Sequence, residues 1–311
     1  MSDIFSFSAL LGILYSGIRL ATPYLFAAIG ETFSQASGVL NLGVEGSMLM
    51  GAFSGFYASS RTGSLWLGLL TAALVGIIMG LAMAVVSVTL KAEQGISGIG
   101  FSLLGLGLSS LLFEKMVGSS AVSINGFPSL RIPILGNIPL VGDALFDHNI
   151  LVYIAFLIVP VAAYVLNHTT LGLRIRAVGQ YPQAADALGI NVARTRYLTV
   201  AFGGMMAAIA GASLSLALID LFQENMTSGM GYIAVALVYF GGWRPAGVLG
   251  GSLLFSFVNA FQLWLQVKGV KIPSNIALML PYVLTILALT FAANRARQPA
   301  ALAKPFERGE V

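Results

Sequence analysis

Apolar residues run through this chain in blocks about as long as a bilayer is thick, broken by short polar interruptions. A helix needs roughly 17–25 mainly apolar residues to cross a hydrocarbon core. Ser8 to Ile29 has that length, and so do Leu65 to Leu90, Ile96 to Val117, Ile150 to Leu166, Leu198 to Leu218, Val248 to Val267 and Ile276 to Ala293. Another apolar run begins at Gly231, is short, and stops at Gly241-Gly242-Trp243-Arg244-Pro245, where glycine and proline break a helix. With the apolar stretch after Asn41, the pattern predicts an all-α polytopic transmembrane bundle of about nine spans (8–10), forming one permeation domain over residues 1–311.

The interruptions carry the chemistry. Gly30 to Asn41 (GETFSQASGVLN) is too polar to face lipid and runs straight into an apolar stretch that holds Glu45 between Gly43 and Gly46. A broken helix near residues 38–47 is expected, because irregular backbone and a carboxylate are tolerated at membrane depth only where protein or water surrounds them. Asn41, Glu45 and Ser47 are therefore candidates to line a translocation pathway. A carboxylate that caps free N–H groups at a helix start fits Glu45 equally well. Gln94, beside Glu93 at a helix junction, and Asn259, three residues from Gln262 on one helix face, join the pathway candidates. Solvated loop residues and helix–helix amide contacts are the simpler readings of those pairs. Arg19 lies inside the first span, where an arginine marks a functional site or pairs with a group such as Glu31 or a helix-end carbonyl, and its role is left open.

Charge then gives the orientation. Residues 167–197 (NHTTLGLRIRAVGQYPQAADALGINVARTRY) hold four arginines against Asp186, a net +3 in a chain whose total is +4. Basic segments next to spans stay on the cytoplasmic side. That places this segment and the 294–311 tail inside, and the proline-rich 118–149 stretch outside as an extracytoplasmic loop. By this topology ten basic residues lie inside and five outside. Within the basic segment Tyr181-Pro182 reads as a turn and Gln183 to Leu188 as a short helix that Gly189 ends in a left-handed cap. The opening MSDIFSFSALL has no basic run, so its first span is expected to be retained.

Composition narrows the class. Hydrophobic residues make up 57% and charged residues 9%, whereas a soluble domain carries roughly 25% charged residues. The absence of cysteine removes thiolate catalysis and cysteine metal sites. No phosphate loop of the GxxxxGK[ST] type, HExxH or GxSxG occurs, and His148 and His168 are isolated at predicted helix ends, so no catalytic residue and no metal ligand is assigned. The basic residues are not interleaved with aromatics on one face, which argues against nucleic acid as a partner. Transport is left, driven by an ion gradient or by a partner. An ion-coupled carrier is expected to show a second broken helix matching the first, and the sequence offers only the break at 41–46.

Three stretches together resemble a known family: GVLNLGVEGSMLMGAF (38–53), LGLRIRAVGQYPQAADALGINVARTRY (171–197) and YFGGWRPAGVLGG (239–251). They are similar to the membrane permeases of bacterial ABC importers of the branched-chain amino acid and simple-sugar group, most of all to its nucleoside and simple-sugar permeases. That family's EAAxxxG coupling pattern is matched at Gln183-Ala184-Ala185-Asp186-Ala187-Leu188-Gly189, with Gln in place of the leading Glu. The resemblance implies that Gln183, Ala184, Ala185, Asp186 and Gly189 form a cytoplasmic coupling helix in a groove of a separate ATP-binding subunit, with Arg174 and Arg176 flanking it. It implies that this chain binds no cofactor and that the partner hydrolyses ATP. It further implies a second permease copy or paralogue, an extracytoplasmic substrate-binding lipoprotein and the bacterial inner membrane. The implied cargo is a nucleoside, with a sugar or riboflavin-like solute as the alternative.

Overall fold

A computed structural model describes residues 7–118, 123–133, 142–268 and 298–308, together with the single positions 279, 283, 286, 287 and 290. The span expected at Ile276 to Ala293 and parts of the outer 118–149 stretch lie outside the described residues. Among the described residues six helices are long and apolar enough to cross a membrane. They are α1 (Phe7–Ala36), α3 (Leu65–Ala84) with a π turn at Val85–Thr89, α4 (Gln94–Met116), α6 (Ile150–His168), α9 (Val192–Ser213) with a π turn at Leu214–Leu218, and α11 (Pro245–Val267). Two further helices, together with the largely undescribed stretch at 276–293, account for the difference from about nine. The 19-residue α2 (Val44–Thr62) is almost wholly buried in its first three turns, so it tolerates Glu45 and several serines. The 11-residue α10 (Met230–Phe240) is about 16 Å long at 1.5 Å per residue, half of a 30 Å core.

The architecture is built around α9. It packs against α1, α2 and α3, and 83% of its membrane window is buried, against 22% for α4. Its sequence explains the placement: glycine and alanine dominate from Gly203 to Ala212, so neighbouring backbones approach from every side. At Gly211 a Cβ atom would stand 1.8 Å from the Met48 carbonyl oxygen. At its C-terminal end the last carbonyls have no partner within the helix. Ala217 O accepts from Arg19 Nη2 (3.3 Å) and Asn149 Nδ2 (3.2 Å), and Leu216 O accepts from Phe127 N (2.8 Å). Arg19 is thus held by a helix-end carbonyl, and its guanidinium lies over the Tyr15 ring; the Glu31 pairing does not occur.

Two boundaries differ from the sequence reading. The first helix continues past Ile29 to Ala36, because Glu31 to Ala36 are buried by protein and not exposed to lipid. The break is confined to residues 37–43, and α2 begins inside the bundle. Between α9 and α10, Gln223, Glu224 and Asn225 are exposed in a run of turns, while Phe222 is buried against Phe53, Phe56 and Phe113. The chain thus has a second irregular segment, 219–229, leading into the half-length α10. Within the 118–149 stretch β1 (Ser129–Arg131) pairs antiparallel with β2 (Asp147–Asn149), and α5 (Gly142–Phe146) precedes β2. Glu93 caps α4 by accepting from Gly95 N and Ile96 N, bonds that hold its carboxyl below the usual carboxylate range.

Candidate functional site

The basic segment 167–197 is almost entirely helical. The first transmembrane helix before it, α6, runs to His168, followed by α7 (Thr170–Gln180), α8 (Pro182–Ala187) and the start of α9 at Val192. Thr169 caps α7 through Gly172 N, Pro182 opens α8 at its first position, and Asn191 caps α9 through Arg194 N (2.8 Å). Gly189, with φ +82, makes the left-handed turn between α8 and α9, a conformation that residues with a Cβ adopt at a cost. Only four residues, Leu188 to Asn191, separate the short helix from the central helix of the bundle.

The expected coupling residues divide into two faces. Gln183, Ala184 and Leu188 are exposed, Leu188 at 83%. Ala185 is 2% exposed and packs with Val178, Val192 and Phe306, so it seats α8 on its own chain and offers nothing to a partner. Asp186 accepts two bonds from Arg308, Nε at 2.8 Å and Nη2 at 3.0 Å. This pair draws the Asp186 carboxyl below its usual range and the Arg308 guanidinium above its own, the hydrogen bonds being the leading cause. Arg174 and Arg176 are exposed on α7. Arg196 belongs to no outer face: it is 1% exposed.

Arg196 sits at a junction that the sequence did not announce. Residues 298–308 form a strap across this end of the bundle. Ala301 N donates to Gly179 O (2.9 Å), Ala303 N donates to Gly38 O (3.1 Å), Lys91 pairs with Glu307, and Ala301 and Leu302 are buried. Beneath it Arg196 donates through Nε to Ser37 O (3.2 Å) and through Nη1 to Lys304 O (3.0 Å). One guanidinium on α9 therefore holds both the strap and the link between α1 and α2.

That link gathers most of the pathway candidates. Asn41 (1% exposed) donates its N–H to Glu31 Oε1 (3.0 Å) and accepts from Gly43 N (2.9 Å). Gln94 Oε1 accepts from Leu40 N (2.8 Å). Glu31 Oε1 also accepts from Gln35 Nε2 (3.0 Å), whose Oε1 accepts from Trp243 Nε1 (2.8 Å). Glu45 accepts from Gly229 N (2.8 Å), Gly231 N (2.6 Å) and the Thr227 hydroxyl. It is a cap, yet the helix it caps is α10 and not the start of its own. Ser47 is buried on α2 and Asn259 is half-buried on α11. Gln262, Asn259's neighbour in the sequence reading, is 2% exposed. Asn41, Glu45 and Gln94 all spend polar atoms on backbone N–H groups.

Residues 13–289 match the family model described as the branched-chain amino acid transport system permease component. The chain belongs to that permease family. It is therefore a multi-pass protein of the inner membrane. A provisionally named glucose ABC transporter permease of Haloferax volcanii is 40% identical, covering 97% of this permease and 99% of the relative. A nucleoside ABC transporter permease of Lactococcus lactis is 36% identical over 90% and 92% of the two chains. A guanosine ABC transporter permease of Bacillus subtilis is 34% identical over 93% and 94%. No solved structure matches the permease.

The strap gives a direct expectation for this permease. Phe306→Ala removes the apolar contact under α8, whereas Arg308→Gln removes an exposed pair, the weaker kind of contact. The chain has no cysteine, so Leu302→Cys supplies a single buried thiol. Its maleimide labelling should rise by tenfold or more in Phe306→Ala, about 1.4 kcal/mol of lost packing, and by less than about fivefold in Arg308→Gln. Because the folded Asp186 pKa is depressed, its contribution is complete above the ordinary aspartate value of about 4 and is lost as pH falls below it. Expressed relative to an exposed thiol (Ala184→Cys) at the same pH, which cancels the pH dependence of the thiolate itself, labelling should thus be flat through neutral pH and rise only in acid. Flat labelling across all variants would remove the strap.

Proposed function

We propose that this permease is the translocation subunit of an ATP-driven importer, that α8 is its coupling helix, and that its cargo is a nucleoside. The observation that carries the reading is the joint between α8 and α9: a short helix with an exposed face of Gln183, Ala184 and Leu188 leads through four residues into the central helix. A partner that moves α8 moves α9. From α9 the displacement reaches the α1–α2 link through Arg196, and α10 follows α2 because Glu45 holds its N-terminus. Packed helices with two arrangements convert such a shift into alternating access. In this reading ATP is bound and hydrolysed by a separate subunit, a second permease completes the path, and a binding lipoprotein delivers solute to the outer face. The chain itself holds no cofactor and does no chemistry on its cargo.

Two relatives named for nucleosides or guanosine, each covering nine-tenths of this chain, support the cargo. The relative named for glucose supports a second reading, a sugar. Both solutes present a hydroxylated ring, so competition separates them. Vesicles carrying the permease with its partner subunits should take up labelled guanosine only with ATP, and excess unlabelled nucleoside, not glucose, should compete. Glucose uptake without nucleoside competition would move the assignment to a sugar. Uptake by the permease alone along an ion gradient would overturn the importer reading.

A further inference from the structure

A groove of about 780 Å³ opens on the side of the bundle between α6, α7 and α9. Its walls are Ile158, Val161 and Val165 of α6 and Leu198 and Phe202 of α9, and Arg174 and Arg194 lie at one end. The arginine end is fixed by the chain: it adjoins Leu188 to Asn191, the joint between α8 and α9, on the basic side of the membrane. The apolar walls belong to the halves of α6 and α9 nearest that side, so the groove spans the depth of one leaflet. Val161 is 50% exposed and Leu198 57%. No acidic residue lines the groove, and neither arginine has an ion pair among the described residues.

An apolar slot ending in two unpaired guanidiniums at the membrane boundary matches an anionic amphiphile at both ends. Arginine binds phosphate oxygens through its planar fork and stays charged at the interface. Basic pockets between spans on the cytoplasmic side recruit acidic headgroups. We propose that an anionic phospholipid of the cytoplasmic leaflet occupies this groove, its phosphate between Arg174 and Arg194 and an acyl chain along α6 and α9. Arg174 then serves the bilayer and not the ATP-binding partner, and the joint between α8 and α9 rests against lipid. The proposal depends on neither the cargo nor the coupling role of α8.

Two measurements test it. In the first, p-benzoylphenylalanine replaces Val161 in the full transporter in its own membrane, which is then irradiated. Adducts with the mass of an acidic phospholipid are expected; adducts with a protein chain, or with neutral lipid in proportion to its abundance, would overturn the proposal. In the second, the purified full chain is given equimolar phosphatidylglycerol and phosphatidylcholine in detergent and the retained lipid is weighed by native mass spectrometry. Phosphatidylglycerol should be preferred, and the preference should fall about fivefold in Arg174→Gln and again in Arg194→Gln. Arg174→Lys, which keeps the charge, should retain most of it. An unchanged preference in the two glutamine variants would contradict the site, and the crosslinking result stands whether or not those variants fold.

Discussion

Glu45→Ala should destabilise the purified permease by about 3–5 kcal/mol and abolish uptake. A buried backbone donor, Gly231 N, a half-buried one, Gly229 N, and the buried Thr227 hydroxyl all point at this carboxylate. A buried donor without an acceptor costs about 1–3 kcal/mol, and an anion at a helix N-terminus adds up to about 2 kcal/mol in a partly buried setting. With alanine, no water replaces the carboxylate cheaply at that depth, so α10 loses its anchor on α2. Glu45→Gln keeps one acceptor oxygen and turns an amide donor toward the other N–H, and should lose about half as much. Denaturation of the three proteins in the same detergent gives the order wild type, Gln, Ala. Equal stability of Ala and wild type would mean that α10 is held by something else, and lost uptake at full stability would then assign Glu45 to the pathway.

Ala184→Arg and Ala185→Arg should fail in opposite ways although the residues are adjacent. Ala184 is exposed, so its arginine stands in solvent, the chain folds, and the effect falls on whatever seats against α8. A long side chain wedged into a close interface costs about 2 kcal/mol or more, a loss of thirtyfold or greater in productive docking. ATP-dependent uptake should collapse with membrane insertion unchanged. Ala185 is enclosed by Val178, Val192 and Phe306, and a guanidinium there is buried without a partner, at a cost of several kcal/mol. That variant should release the strap and raise the labelling of a Leu302→Cys thiol. Normal ATP-dependent uptake by Ala184→Arg at normal expression would sink the coupling role of α8.

The spans were legible because a lipid-facing helix must be apolar for most of its length, and α3, α4, α6 and α11 obey that rule. Buried elements escape it. The true end of α1 was obscured because Glu31, Thr32, Ser34 and Gln35 find partners in protein and need no lipid. The start of α10 left a local signal, Thr227-Ser228 before Gly229 and Gly231, but nothing near it in the sequence names Glu45 as the acid that caps it. The central place of α9 was visible in its density of glycine and alanine around the whole helix, which marks burial on all sides. The strap had a weaker signal, Ala301, Leu302 and Phe306 set between basic residues. Pro182, the alanines and Gly189 marked α8 correctly as a helix, but nothing in a six-residue run tells which alanine faces inward. That depends on Val178, Val192 and Phe306, which come from three separate parts of the chain.

The coupling role of α8 requires its exposed face to be covered by an ATP-binding subunit. Ala184→Cys places the only thiol of the chain on that face. In membranes holding the assembled transporter, the thiol should resist maleimide, and it should label fully once the peripheral subunit is stripped away. Equal labelling before and after stripping would contradict the account.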